Sequence, residues 1–198
     1  MQKMKKISKN FNLEDFLHSE QAQRYPEIAL LQKKPSQTVI NNLTHLAETT
    51  VQKIYDSFQY PITISSGYRC EALNKLIKGS PTSQHVKGQA ADISIPNVFL
   101  TDKATLPLRN NLNNLMLKHT GKKIKANCNA NFYLFAFCVF NLNTLDIDQL
   151  IYEYGNKAGQ PAWVHVSASK ETNRRQILQI SSSGTIVLPE KSALLLGA

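Results

Sequence analysis

The chain has 198 residues, of which 42% are hydrophobic and 19% charged, a composition that excludes a disordered protein and allows a sizeable core. Its net charge of +9 favours an anionic partner such as nucleic acid, a membrane surface or a cell-wall polymer, without choosing among them. Cys70, Cys128 and Cys138 have no CxxC spacing, so we expect free thiols. The length predicts a single domain over residues 1–198, with 1–10 and 181–198 as peripheral tails.

The start of the chain, MQKMKKISKNFNLEDF, is basic but lacks the apolar run of a signal peptide. The longest apolar run, FYLFAFCVF at 132–140, has about half the length that a membrane helix needs. We therefore expect no membrane span and no export by a signal of the chain's own. We expect the protein to stay in the cytoplasm until it is released, or to be delivered to the cell wall by a phage or prophage.

The first half of the chain predicts helices and two strands. Asn12 is expected to cap a short helix, and Ser36 to begin a long helix ending near Phe58, whose apolar residues recur every three or four positions. A strand is predicted over 62–65, a helix over 71–78 and a strand over 89–95. Alternation in this last strand places Ala91, Ile93 and Ile95 on a core face and Ala90, Asp92 and Ser94 on the opposite face.

The second half of the chain predicts a helix over 107–119, a basic loop over 120–131 and a helix over 132–140, where a strand is the alternative. Strands over 148–154 and 162–167 should form an antiparallel hairpin, with Glu153 on one face of the first and Trp163 and His165 on one face of the second. A helix or a strand follows over 174–180. This order predicts an α+β fold, a small antiparallel sheet with helices packed mainly on one face.

His85, Asp92 and His165 are a candidate zinc site. Catalytic zinc takes three protein ligands, and histidine nitrogen and aspartate oxygen both suit it. The seven residues from His85 to Asp92 would span roughly 23 Å if extended, so the chain must fold back between them, and Gly88 permits such a turn. Spacing alone leaves open a hydrogen-bond network of a buried aspartate and loop histidines instead of a metal site.

Longer strings in the chain resemble a known family. SQHVKGQAAD (83–92) matches the S-x-H-x-x-G-x-A-x-D signature of the zinc D-alanyl-D-alanine carboxypeptidases and related peptidoglycan peptidases. SGYRCEALN resembles the family's S-G-Y-R-x-x-x-L-N segment, and DQLIYEYG with WVHVS resembles its closing strands. The opening FNLEDFLHSEQAQ is similar to a phage- and prophage-associated branch. This resemblance covers residues 7–180 and implies the fold shared by these peptidases and the Hedgehog domain.

The resemblance implies a role for each site residue. His85, Asp92 and His165 would bind Zn²⁺, and Arg69 would face the substrate or the tetrahedral intermediate. Many members have the general base three residues before the last histidine, where this chain has Ala162. We therefore expect Glu153 to be the base, as the Hedgehog domain also has a glutamate on the preceding strand.

Three further residues are expected around the metal. Ser83 and Gln84 would orient His85 or contact substrate, with a purely structural loop as the alternative. Trp163 would form a wall of the pocket, with a core aromatic residue as the alternative.

The implied function is a zinc metallopeptidase that cleaves bacterial cell-wall stem peptides, as a D,D-carboxypeptidase or an endolysin-like L,D-endopeptidase. Its expected partner is a peptidoglycan stem peptide or a D-amino-acid dipeptide, not nucleic acid, and the expected state is a monomer. The alternative is a zinc-stabilised binding module of the same fold that has lost catalysis, which the missing carboxylate at Ala162 favours.

Overall fold

The computed structural model describes residues 5–156 and 158–198. The helices described are α1 (Leu13–Leu17), α2 (Glu20–Gln23), α3 (Pro26–Gln32), α4 (Gln37–Leu46), α5 (Gln52–Phe58), α6 (Glu71–Leu76), α7 (Leu106–Thr120), α8 (Ala130–Phe140) and α9 (Glu190–Leu194). The strands are β1 (Thr63–Ser66), β2 (Ala90–Ser94), β3 (Gln149–Glu153), β4 (Trp163–Ser167), β5 (Gln176–Ser181) and β6 (Gly184–Val187).

The long helix predicted from Ser36 to Phe58 is present as α4 and α5 joined by a π-helical segment, Ala47–Val51. The Ser36 hydroxyl caps it by accepting a hydrogen bond from the Val39 N–H at 3.3 Å. The π-helical segment was not predicted, because one extra residue per turn barely disturbs the apolar spacing.

The six strands form one sheet in the order β1-β2-β4-β3-β5-β6. Neighbouring strands are antiparallel except β3 and β5, which are parallel, so the prediction of a purely antiparallel sheet is wrong for this pair. β3 and β4 form the expected hairpin. β3 pairs with β4 along one edge and with β5 along the other. β5 runs in the same direction as β3 and therefore opposite to β4. The segment 174–180, predicted as helix or strand, forms most of β5.

The core lies on one face of the sheet. Ile93 on β2, Val164 on β4 and Leu150 on β3 are fully buried there. α8 packs against β3 and β4, and every residue from 130 to 139 is buried, which explains why its sequence is apolar on all sides. This confirms the helix predicted over 132–140 and the α+β class. Within the described residues, no helix is both long and apolar enough to cross a bilayer.

Within the described residues, parts of both segments that were expected to be peripheral tails pack into this core. Ile7 is 4% exposed, and Ala193 and Leu194 on α9 are 0% and 2% exposed. The Leu13 N–H donates to the Lys5 carbonyl at 2.8 Å, which holds the N-terminal segment against α1. Neither segment has a periodic apolar pattern long enough to predict this burial, which depends on tertiary packing. Residues 1–4 lie outside the described residues.

Candidate metal centre and cleft

A cleft of about 960 Å³ lies on the sheet face opposite the core. Its floor is formed by side chains of β2, β4, β3 and β5, and its rim by the start of α2 and the loop after α6. His85, Asp92 and His165 lie together in this cleft, and among the described residues they are a cluster whose ligand atoms all lie within 4.8 Å of one another.

The sheet register brings these three residues together. Asp92 on β2 is directly paired with His165 on β4, so their side chains leave the same face of the sheet. His85 comes from the loop between α6 and β2. That loop turns back at Gly88, which has a φ of 68° and whose missing Cβ leaves room for Val39 on α4. The turn predicted at Gly88 is therefore confirmed.

The spacing of the three side chains fits a tetrahedral metal ion. His85 Nε2 lies 3.2 Å from His165 Nδ1 and 3.2 Å from Asp92 Oδ1, and His165 Nδ1 lies 3.0 Å from Asp92 Oδ1. Ligands about 2.0–2.1 Å from a zinc ion would be about 3.3 Å apart along the edges of a tetrahedron. The three residues are 2–5% exposed, so three polar groups are gathered where burial without a partner would be costly.

Neighbouring groups hold two of these side chains in place. His85 Nδ1–H donates to the Gly67 carbonyl at 2.6 Å, which orients the ring so that Nε2 faces Asp92 and His165. Arg69 Nη2 donates to Asp92 Oδ2 at 2.6 Å, and Arg69 Nε donates to the Ser66 hydroxyl at 3.0 Å. One carboxylate oxygen is thus held by Arg69, and the other faces the histidines.

The charges of the site shift the pKa of its carboxylates in opposite directions. Burial raises the pKa of Asp92, but attraction to His85 and hydrogen bonds from both histidines outweigh it, so the pKa lies well below its usual range. Burial and repulsion from Asp92 raise the pKa of Glu153, although His165 and Arg69 lower it in part. Asp92 is therefore held as an anion, whereas Glu153 binds a proton more readily than an ordinary glutamate does.

Glu153 lies beside the triad, as expected from the hairpin. Its Oε1 is 4.0 Å from His165 Nδ1, and its side chain is 12% exposed. Glu153 is paired with Trp163 across β3 and β4, and its carbonyl accepts the Ala162 N–H at 3.0 Å. The hairpin thus places the Glu153 carboxylate next to Ala162, a position that has no carboxylate in this chain.

The other expected site residues all line the cleft, with different surroundings. Ser83 is on its wall, and Trp163 packs against Tyr154 with ring centroids 5.7 Å apart. The Gln84 amide donates to Asp148 Oδ2 at 2.9 Å. Gln84 therefore ties the His85 loop to the start of β3, which is closer to the structural alternative than to a substrate contact.

Three features in or near the cleft were not predicted from the sequence. Asp148 accepts hydrogen bonds from Arg174 Nε and Nη2 at 2.8 and 2.5 Å, and so joins Gln84 to the segment before β5. Gln32 is 2% exposed and bonds to the backbone of Leu17, Tyr68 and Cys70. Apolar side chains of β3 and β5 extend the floor. Strand alternation, which places Ile151 on the same face as Glu153, was the available sequence signal for the apolar floor. The hydrogen bonds of Asp148 and Gln32 join distant parts of the chain and left no signal in the sequence.

The two histidines and the aspartate on the open face of the α+β sheet are a cluster that could hold a metal ion. The chain belongs to the Peptidase M15 family, the group of zinc peptidases that resemble D-alanyl-D-alanine carboxypeptidases, whose profile matches residues 22–121. This confirms the family indicated by the sequence motifs. Comparison with curated proteins found no match.

The matched region covers half of the chain and includes Arg69, His85 and Asp92. His165 and Glu153 lie beyond its end. Their connection to the site depends on the strand pairing of β4 with β2 and β3, which brings the later part of the chain back to the matched region.

Proposed function

We propose that this protein is a zinc metallopeptidase that hydrolyses a peptide bond in bacterial cell-wall stem peptides. The observation that carries the proposal is the triad of His85, Asp92 and His165, with ligand atoms 3.0–3.2 Å apart and the Glu153 carboxylate beside them. Membership of the M15 family supports the reaction class and a peptide substrate.

In this proposal His85 Nε2, Asp92 Oδ1 and His165 Nδ1 would hold the metal ion. Zinc held there would supply a Lewis acid to polarise the scissile carbonyl and lower the pKa of water. Gly67 and Arg69 keep the ligands oriented, because each holds an atom of His85 or Asp92 that does not face the centre.

Glu153 is the proposed general base. A base must lie within hydrogen-bond reach of the proton that it removes, directly or after a small movement on substrate binding. The Glu153 carboxylate is next to His165, faces the cleft, and has its pKa raised by burial and by Asp92. It would accept a proton from the attacking water and return it to the leaving amine, which keeps the reaction balanced.

Arg69 is proposed to serve both the metal site and the substrate. Two of its N–H groups bond to Asp92 and Ser66, and 18% of the side chain stays exposed to the cleft. A guanidinium has five N–H donors in a fixed plane. The remaining donors are suited to stabilising the oxyanion or binding a substrate carboxylate.

Stem peptides are the proposed substrate class because the M15 relatives resemble D-alanyl-D-alanine carboxypeptidases. The chain's net charge of +9 is consistent with attraction to an anionic cell wall. Attack by water requires room for a peptide beside the metal, and the cleft of about 960 Å³ supplies it.

The test combines zinc content with cleavage of synthetic stem peptides. We expect about one zinc ion per wild-type chain and hydrolysis that a chelator abolishes, with both lost in His85→Ala. His119→Ala is the matched control because His119 is exposed and outside the cleft. Zinc retained without cleavage of any stem peptide would favour the non-catalytic binding module, and a wild type that binds no zinc would overturn both functions.

A further inference from the structure

The floor of the cleft changes from polar to apolar as it leaves the metal centre. Ile151 on β3 is directly paired with His165, and Leu178 on β5 is directly paired with Ile151. Ile180 is paired with Glu153 in the next row, and all three apolar residues line the same cleft as the triad. A continuous apolar floor therefore begins beside the metal ligands.

Other parts of the cleft lining have different chemistry. They include His18, Glu20, Arg69 and Lys78. By contrast, β5 and β6, with the sequences QILQIS and GTIV, have no charged residue. In the sheet order, Asp92 and His165 on β2 and β4 lie to one side of Ile151, Leu178 and Ile180 on β3 and β5. A peptide that extends from the triad toward β6 would therefore meet strands without charged side chains.

The apolar end is long enough for more than one residue. The paired row from His165 through Ile151 and Leu178 reaches Val187 on β6, three strand spacings away. With strands about 4.8 Å apart, this distance is about 14 Å, the length of about four extended residues. Val187 is 62% exposed at the outer end, so the surface is open to a chain that continues beyond the cleft.

We propose that Ile151, Leu178 and Ile180 form an apolar subsite that binds an uncharged, apolar side chain of an extended peptide next to the scissile bond. The occupant is the substrate peptide, because the subsite is continuous with the metal centre in the same cleft. This inference rests on the proposed peptidase function. It makes an oligopeptide a better substrate than a free dipeptide, which would leave the β5 side of the floor empty.

The test uses the zinc-loaded protein and pentapeptides in which one position at a time carries Leu, Ala, Glu or Lys. Binding is followed by the fluorescence of Trp163, since it is the only tryptophan in the chain and lines the cleft. Hydrolysis is measured separately. At one position on one side of the scissile bond, we expect Leu to exceed Glu by about 10-fold or more in binding and in kcat/KM.

Ile180→Lys should remove this preference for Leu and favour Glu, because an ammonium would then line the subsite. Ile186→Lys is the matched control: Ile186 is in the same hairpin and 54% exposed, but pairs with Gln179 and so lies on the opposite face. It should leave selectivity unchanged. Ile180→Ala, which adds no charge, should lower binding of the Leu peptide with no gain for Glu, and it gives a second measurement if the lysine variant folds poorly.

The two proposals fail in different ways. Hydrolysis without a preference for Leu, or with a preference that Ile180→Lys and Ile180→Ala leave intact, would overturn the subsite and leave the peptidase function standing. Selective binding of Leu peptides without hydrolysis would overturn the peptidase function and support the subsite. Neither binding nor hydrolysis of any peptide would overturn both.

Discussion

Glu153 Oε1 lies 4.0 Å from His165 Nδ1, although the two residues are on different strands. The pairing of Glu153 with Trp163 in the β3–β4 hairpin fixes this proximity. A carboxylate three residues before His165 would approach the centre from the loop instead, and Ala162 is at that position. In this chain the carboxylate beside His165 therefore lies on the neighbouring strand.

Glu153→Gln should abolish most peptide cleavage while zinc content stays at the wild-type level. The amide is nearly the same size but cannot accept the proton, so we expect kcat to fall by about 10²–10⁴-fold. Zinc analysis and single-turnover cleavage of a stem peptide measure the two effects. Glu171→Gln, at an exposed site, is the control. A Glu153→Gln enzyme within 3-fold of wild type would show that Glu153 is not the base.

Arg69→Met should weaken zinc binding, because Asp92 would lose the 2.6 Å bond that orients its carboxylate. Loss of such an outer partner lowers metal affinity by about 10–100-fold. Competition with a fluorescent zinc chelator measures the change. Arg24→Met, which removes an exposed arginine, should have no effect. Unchanged zinc affinity in Arg69→Met would show that Arg69 does not support the metal site through Asp92, and would leave it only a role in contacting substrate.

Asp148→Asn should destabilise the protein in a pH-dependent way. Burial raises the pKa of Asp148, but hydrogen bonds from Arg174 and Gln84 outweigh it and hold the pKa below its ordinary value of 3.8. The unfolded chain therefore binds the proton more readily than the folded one. The stabilisation is present above about pH 4 and is lost as the pH falls through the folded pKa.

The measurement is urea unfolding of wild type and Asp148→Asn between about pH 3 and pH 7. Loss of charged hydrogen bonds should cost about 1–3 kcal/mol near neutrality, and the difference should shrink in acid. Asp146→Asn is a close control, because its pair with Lys53 at 2.7 Å is about half exposed and should contribute under about 1 kcal/mol. A difference that stays constant with pH would contradict the assignment.

Gln32→Leu should lower the free energy of unfolding by about 2–4 kcal/mol. The Gln32 amide donates to the carbonyls of Leu17 and Tyr68 at 3.1 and 2.6 Å, and its oxygen accepts the Cys70 N–H at 2.9 Å. Leucine fills similar space but leaves these buried backbone groups without partners. Chemical unfolding measures the loss, and Gln23→Leu at an exposed site is the control. A change below about 0.5 kcal/mol would refute this role.

Local patterns predicted much of the fold. The spacing of apolar residues indicated the long helix that ends at Phe58, and alternation assigned Asp92 and Ile93 to opposite faces of β2, as the structure confirms. Helix 132–140 remained ambiguous, because a helix buried on all sides has no polar face to set its period. The parallel pairing of β3 with β5 had no local signal either, since it depends on where a later strand returns.

The sequence by itself determined the family, the residue types of the candidate metal centre and the strands that carry them, since these are written in local motifs and alternation. Only the tertiary structure decided how they meet. It paired Asp92 with His165 across 73 residues, placed Glu153 beside them, and extended the floor through Ile151 and Leu178. These relationships depend on strand register and packing between distant segments, which no short stretch of sequence specifies.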